Sequence, residues 1–171
     1  VQNTTRWTDW VRTIAGGRGD WYRARVASDN PLNSGNASDF IASPKFSLIV
    51  GPFNRTEFFV NAGYGFHSND VRGVVITVDP ATGLPADKVP FLVRSKGAEV
   101  GMTTKVIPGL ESAVALFVLE YASELLFVGD AGTTEASRPS RRVGVEWTNH
   151  YKPLPWLAFD LDLALTQARF S

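Results

Sequence analysis

The chain has 171 residues, the length of one ordinary domain or of part of a larger one, and its 17 basic and 17 acidic residues cancel. A neutral balance gives no support to nucleic-acid binding, which wants a concentrated basic stripe, so no nucleic-acid partner is expected. The absence of cysteine excludes a disulfide scaffold, thiolate zinc sites and cysteine nucleophiles.

The start, Val1-Gln2-Asn3, is not a charged segment followed by an apolar one, so no signal peptide is read and Val1 is not expected to begin the gene product. Eight strand-like segments follow, at 2–6, 11–26, 40–50, 57–67, 91–107, 112–127, 142–151 and 156–170. Four tight turns separate pairs of them: Thr8-Asp9-Trp10, Gly51-Pro52-Phe53-Asn54, Pro108-Gly109-Leu110 and Lys152-Pro153-Leu154-Pro155. The alternate links, 28–39, 69–90 and 129–140, are longer and polar.

Period-two alternation assigns faces strand by strand. The second strand is the poorest, its oily face diluted by Gly16, Gly17 and Gly19. In the third, Pro44, Phe46, Leu48 and Val50 oppose Ser43, Lys45 and Ser47. In the fourth, Phe58, Val60, Ala62, Tyr64 and Phe66 oppose Glu57, Phe59, Asn61, Gly63, Gly65 and His67. In the fifth, Ala98, Val100 and Met102 oppose Glu99, Gly101 and Thr103. In the sixth, Ala113, Ala115, Phe117, Leu119 and Tyr121 form the expected oily face against Val118, Glu120, Ala122 and Glu124, with Val114 and Leu116 blurring the wet side. In the seventh, Val143, Val145, Trp147 and Tyr151 oppose Gly144, Glu146, Thr148 and His150. The eighth is the clearest: Leu157, Phe159, Leu161, Leu163 and Leu165 against Ala158, Asp160, Asp162, Ala164 and Thr166.

No stretch approaches the roughly 18 apolar residues of a membrane helix; the longest, 113–119, is far too short. Barrel strands hide half their residues from lipid, so this does not exclude a membrane. Aromatics fall at two levels, Trp10, Phe53 and Trp156 at the short turns and Tyr64, Phe66, Tyr121 and Phe127 towards the long loops, as the two girdles of a barrel wall would. The pattern predicts an all-β fold: an antiparallel meander of about eight long amphipathic strands, part of the wall of a transmembrane β-barrel. Two alternatives share the strand pattern. A complete eight-stranded outer-membrane barrel with a structural or adhesive role would pair 2–6 with 156–170. A soluble β-sandwich, acting as a binding module or carbohydrate-active enzyme, would bury the oily faces against a second sheet.

Several stretches, in this order, resemble the barrel portion of TonB-dependent outer-membrane receptors. They are Ala42-Ser43-Pro44-Lys45-Phe46-Ser47-Leu48, the run from Glu57 to Asp70, Lys96-Gly97-Ala98-Glu99-Val100-Gly101, the run from Glu124 to Thr133, and Ser140-Arg141-Arg142-Val143-Gly144-Val145-Glu146. The resemblance covers essentially the whole chain. It implies a Gram-negative outer-membrane receptor that imports a scarce small-molecule ligand such as a metal chelate, partnered by outer-membrane lipid, by its own plug domain and by TonB. Members of that family carry an N-terminal plug inside a barrel of about 22 strands. Residues 1–171 hold neither plug nor signal peptide, and end Arg169-Phe170-Ser171, so they are read as a fragment from within the barrel. Gly16-Gly17-Arg18, where an apolar residue is usual in the middle, is a smaller departure.

No catalytic site is expected. Asp160 and Asp162 stand about 7 Å apart on one strand face, a spacing glycosidases use, but a solvated lumen wall accounts for them. His67 and His150 lie on different strands without further ligands, whereas zinc needs three or four, so no metal is assigned. No Gly-x-Ser-x-Gly elbow is present, and Gly129-Asp130-Ala131-Gly132-Thr133-Thr134 lacks the lysine of a phosphate loop and reads as a surface loop. No cofactor is implied. Lys45, Glu57, Asn61, Glu99, Glu146, Asp160 and Asp162 are expected to face the lumen, against the plug or the transport path. His67, Asp70 and Arg72, where a strand meets the longest loop, are the candidate ligand contacts.

Overall fold

A computed structural model describes residues 1–123, 125–128, 133–136 and 138–170, with side chains for 1–123 and 138–170. Ten strands follow in chain order: β1 (Gln2–Thr8), β2 (Val11–Val26), β3 (Gly35–Phe53), β4 (Thr56–Ser68), β5 (Leu92–Thr104), β6 (Leu110–Tyr121), β7 (Leu125–Val128), β8 (Thr133–Ala136), β9 (Ser140–Leu154) and β10 (Leu157–Phe170). Eight of them form one antiparallel sheet in the order β1-β2-β3-β4-β5-β6-β9-β10, while β7 and β8 make a separate two-stranded ribbon. The sheet is an open meander. β1 pairs with β2 and β10 with β9, so the pairing of 2–6 with 156–170 that a closed eight-stranded barrel requires is absent among the described residues.

Turn chemistry sets the register at the short-turn end. Asn54 and Arg55 both have positive φ (46° and 62°), the conformation of a two-residue turn whose twist matches its flanking strands. That places 51–53, expected in the turn, inside β3. Pro108 and Gly109 (φ 79°) form the next turn, closed by the Leu110 amide donating to the Ile107 carbonyl at 3.1 Å. The last turn shifts to Pro155-Trp156, because β9 stays paired through Leu154.

At the other end the strands outrun expectation or stop short of it. β3 begins at Gly35 rather than 40, paired continuously with β2 to Val26. The expected strand 112–127 is two elements. Its ladder to β9 ends at Tyr121↔Ser140, and 125–128 pairs away from the sheet with β8. The readings that fall on Glu124, on the Phe127 side chain and on 129–132 lie outside the described residues.

β3 and β4 are paired only as far as Lys45↔Gly63. Beyond that level β3 continues with β2, β4 continues with β5, and the sheet splays. The long loop fills this wedge. Asn69 closes its neck, its amide donating to the Phe91 carbonyl (2.9 Å) and its side chain to the Pro90 carbonyl (2.6 Å). A short helix, α1 (Val71–Val75), is capped by Asp70. Buried Asn33 ties the loop to the β2–β3 link: its Oδ1 accepts from the Thr77 and Val78 amides, and its Nδ2 donates to the Val78 carbonyl. Ile41, Phe91 and Leu92 form the centre of the wedge, with Tyr22, Phe66, Val71 and Val74 packed on it.

That wedge is nearly all the core among the described residues. The buried apolar residues among those described are Ile41, Val75, Phe91, Leu92 and Val93, all at the loop end. The long amphipathic part of the sheet buries none of its apolar face. Phe58, Val60, Val100, Leu116, Trp147, Leu163 and Leu165 are all exposed, so no second sheet covers that face as a sandwich would demand.

Candidate functional site

Directly paired residues of antiparallel strands point to the same side, so the ladders sort every strand position onto one of two faces. One cross-strand row reads Ile14–Ser47–Asn61–Glu99–Phe117–Gly144–Thr166. The row nearer the short turns reads Arg12–Ile49–Phe59–Gly101–Ala115–Glu146–Ala164, and the row nearer the loops Gly16–Lys45–Gly63–Gly97–Leu119–Arg142–Ala168. Asp160 and Asp162 pair with His150 and Thr148 on this same side. The register therefore brings Lys45, Glu57, Asn61, Glu99, Glu146, Asp160 and Asp162 together on one polar face.

Within that face the polar groups satisfy one another. Arg12 grips Glu57 through two hydrogen bonds of 2.7 and 2.6 Å. Asn61 Nδ2 donates to Glu99 Oε1 at 2.5 Å. His150 Nδ1 stands 2.6 Å from Asp160 Oδ1, so Asp160 bonds a histidine rather than facing Asp162. Arg18 pairs with Asp20 two residues along the same strand face. No group of three or more His, Asp or Glu side chains at metal spacing occurs among the described residues.

The opposite face carries Val11, Thr13, Ala15 and Trp21 on β2, Phe46, Leu48 and Val50 on β3, and Phe58, Val60, Ala62 and Tyr64 on β4. It continues with Ala98, Val100 and Met102 on β5, Val114, Leu116 and Val118 on β6, Val143, Val145 and Trp147 on β9, and Leu161, Leu163 and Leu165 on β10. No charged residue interrupts this belt. From Val11 to Trp21 is about 33 Å along the strand, or about 23 Å of depth at the roughly 45° tilt of membrane-spanning strands. Trp10 and Phe53 meet at the short-turn edge, ring centroids 6.2 Å apart, with exposed Trp156 at the same end.

One strand reverses the expected parity. Phe117 pairs with Glu99 and Leu116 with Val100, so Ala113, Ala115, Phe117, Leu119 and Tyr121 lie on the polar face, and Val114, Leu116 and Val118 on the apolar belt. Both faces of β6 are oily, so its own sequence does not decide between them; glycines on the neighbouring strands do. Phe117 occupies the space beside Gly144, Leu119 that beside Gly97, and Phe59 that beside Gly101. Tyr121 moves with them and sits under the Arg142 guanidinium, 5.2 Å from its ring centre. Phe66 is likewise no girdle residue: it packs edge-on against Tyr22 in the wedge, 5.8 Å between centroids.

Towards the loops the polar face opens into a cavity of about 1100 Å³ lined by Arg18, Tyr22, Ser43, Lys45, Tyr64 and His67, among others. His67 Nε2 is buried there without a hydrogen-bond partner. Asp70 and Arg72 engage each other: Asp70 Oδ1 accepts from the Arg72 backbone amide at 2.9 Å, and the guanidinium closes on the carboxylate at 2.5 Å. That contact holds the Asp70 carboxyl below the usual carboxylate range and raises the Arg72 guanidinium. Of the three candidate ligand contacts, the structure places His67 in the cavity and gives Asp70 and Arg72 the start of α1. Arg12, Arg18 and Tyr22 are the polar-face groups that sequence reading passed over. Their signal was the even-numbered run Arg12, Arg18, Asp20, Tyr22 in β2, hidden by the glycines between.

No family model matches the sequence, and no curated protein matches it by sequence. Solved structures do match. The copper transporter OprC superposes with a TM-score of 0.77 at 18% identity, covering 99% of this chain and 27% of its own. The FrpB iron transporter from Neisseria meningitidis gives 0.69 at 15% identity, with 99% and 25% covered. FauA, the alcaligin outer-membrane receptor from Bordetella pertussis, gives 0.69 at 12% identity, with 98% and 29% covered. The chain thus spans about a quarter of the length of these three structures. Its fold is that of an eight-stranded segment of the barrel wall of TonB-dependent outer-membrane receptors.

Proposed function

We propose that residues 1–171 form part of the wall of a TonB-dependent transporter in the outer membrane of a Gram-negative bacterium, importing a scarce small molecule such as a metal chelate. One observation carries the reading: an uncharged apolar belt, about 23 Å deep on β2 and shorter on β5 and β6, where Lys96 and Glu120 end it, covers one face of an open sheet whose other face is hydrogen-bonded and polar. A soluble sheet gains by burying such a face; a barrel wall gains by turning it to lipid. The polar face then looks inward, where Lys45, Glu57, Asn61, Glu99, Glu146, Asp160 and Asp162 line the plug or the transport path. The short turns lie on the periplasmic side and the 69–90 loop outside the cell, with His67, at the foot of that loop, in reach of an entering ligand, and Asp70 and Arg72 shaping the loop that screens it.

The test uses the whole gene product in Gram-negative cells, with and without TonB, supplied with radiolabelled ferric or copper chelates. Uptake that needs both the protein and TonB supports the proposal; uptake indifferent to TonB contradicts it. A tag inserted at Gly83 reports orientation: it is reached by protease on intact cells if the loop is extracellular, and only after the outer membrane is broken if it is not. Replacing only the exposed tip 80–84 by Gly and Ser, which leaves α1 and the Asn33 contacts in place, spares assembly and lowers uptake.

A further inference from the structure

Ser43-Pro44-Lys45 stands where the wall splits. Gly17 turns its amide and carbonyl to Val1, away from β3. Its ladder partner Pro44 therefore turns its own backbone groups towards β4, where the next hydrogen-bonded pair would join it to Tyr64. Proline has no amide hydrogen to give, so the β3–β4 ladder ends at Lys45↔Gly63. The Ala42 carbonyl, facing the same gap, is taken instead by Arg94 Nη1 at 2.8 Å. On the polar face this split is the cavity of about 1100 Å³. Ser43 lies on one bank and His67 on the other, and Ser43 Oγ and His67 Nε2 are both buried without a hydrogen-bond partner. Lys45 stands at the vertex, its stem laid across two glycines. A Cβ at Gly16 would stand 2.9 Å from Lys45 Cε, and one at Gly63 would stand 3.3 Å from Lys45 Cβ. No Asp or Glu lines the cavity. Asp20 is held by Arg18 at 2.6 Å, Glu99 bonds Asn61, and neither Glu99 nor Glu146, deeper on the same face, pairs with Lys45.

From this we infer that the split between β3 and β4 binds an oxyanion (a carboxylate, phosphate or sulfonate) carried by the imported ligand, with Lys45, Ser43 and His67 as its donors. The inference rests on the proposed function and narrows it to anionic small molecules. The Lys45 ammonium supplies charge, the Ser43 hydroxyl a donor, and the His67 ring a donor in the tautomer that carries its proton on Nε2. An oxyanion has acceptor lone pairs enough for all three, and its bond to an ammonium is short and strong. Buried polar atoms without partners are costly, so a group that satisfies both banks at once is held by each. A cationic ligand would meet Lys45 with no carboxylate in the cavity to offset it.

The experiment titrates inorganic phosphate, at constant pH and ionic strength, into the detergent-solubilised whole gene product. It follows the nitrogen NMR signal of the His67 ring, assigned by its loss in His67→Gln. The expected result is a saturable shift. Affinity falls at least about tenfold in Lys45→Gln, the loss of one charge-assisted contact. It falls also in Ser43→Ala, and is unchanged in Lys105→Gln, which removes the same charge at the short-turn end. Circular dichroism confirms that each variant keeps its strands, and Ser43→Ala reads the site even if Lys45 is needed for assembly. No saturable shift, or equal affinity in wild type, Lys45→Gln and Ser43→Ala, overturns the inference. An equal drop in Lys105→Gln also overturns it, because binding would then follow total charge. In cells, ferric chelates of negative, zero and positive net charge separate the inference from the transporter reading. TonB-dependent uptake confined to the anionic chelates and lost in Lys45→Gln supports it. TonB-dependent uptake of neutral or cationic chelates, indifferent to Lys45→Gln, overturns it and leaves the transporter reading intact. Uptake indifferent to TonB overturns the transporter reading, and the phosphate titration then decides the site alone.

Discussion

Phe117 occupies the space that a side chain on Gly144 would need: a Cβ at position 144 would stand 2.6 Å from Phe117 Cζ and 2.5 Å from the Leu165 carbonyl oxygen. The ring on β6 and the gap on β9 are two halves of one packing unit. Gly144→Ala should therefore cost about 1–3 kcal/mol, the usual penalty of overpacking a fitted site. Urea unfolding of the detergent-solubilised protein measures it; an unchanged midpoint would show that the ring does not depend on the gap.

Arg12 and Glu57 make the best-formed ion pair on the polar face, with each side chain about a third exposed at 30% and 33%. Its two-point geometry favours it, and residual solvent screens it. A double-mutant cycle of Arg12→Gln and Glu57→Gln should give a coupling of about 1 kcal/mol. A coupling indistinguishable from zero would assign the pair no part in fixing β2 against β4.

Leu163 on the belt and Asp162 on the polar face are sequence neighbours in opposite environments. Leu163→Arg should lower folding stability in bilayers by about 2–4 kcal/mol if the residue lies near the membrane midplane. Asp162→Asn should change it little, because water solvates either side chain. Comparable losses from the two would reject the face assignment.

The Asp70 carboxyl is held below its ordinary range by Arg72. A depressed carboxyl contributes stability that is complete above the ordinary carboxylate range and is lost as pH falls through the depressed value. Hydrogen exchange at the Arg72 amide should accordingly show protection fading on acidification relative to neighbouring β4 amides. In Asp70→Asn, where the amide oxygen still caps α1 without titrating, that fading should vanish. Identical acid profiles for the two proteins would remove Asp70 from the account.

The fold was legible wherever one face of a strand is oily and the other wet, and it failed where both are oily. β10 and β4 declare their faces unaided. β6 does not, since Val114, Leu116, Val118 and Ala113, Ala115, Phe117, Leu119 are both apolar sets. Only Gly97, Gly101 and Gly144 on neighbouring strands decide, through contacts that local alternation does not contain. The wedge was illegible for a similar reason. Nothing near Asn33 in the sequence reveals that it bonds Thr77 and Val78. The polar-face carboxylates could be placed by parity alone, but their partners, Arg12 for Glu57 and His150 for Asp160, depend on register.

The central claim is that one face of this sheet meets lipid and the other water, with β6 in the register described. Residues 1–171 hold no cysteine, so in the whole gene product, with any cysteine elsewhere replaced by serine, single cysteines placed along 114–119 and 160–165 and labelled with a small fluorophore report each site. In brominated-lipid vesicles the account predicts quenching by lipid at 114, 116, 118, 161, 163 and 165, and by aqueous iodide at the positions between. The decisive pair is Leu116 and Phe117. Lipid quenching at 116 with none at 117 supports the account; the reverse, or equal quenching at both, contradicts it.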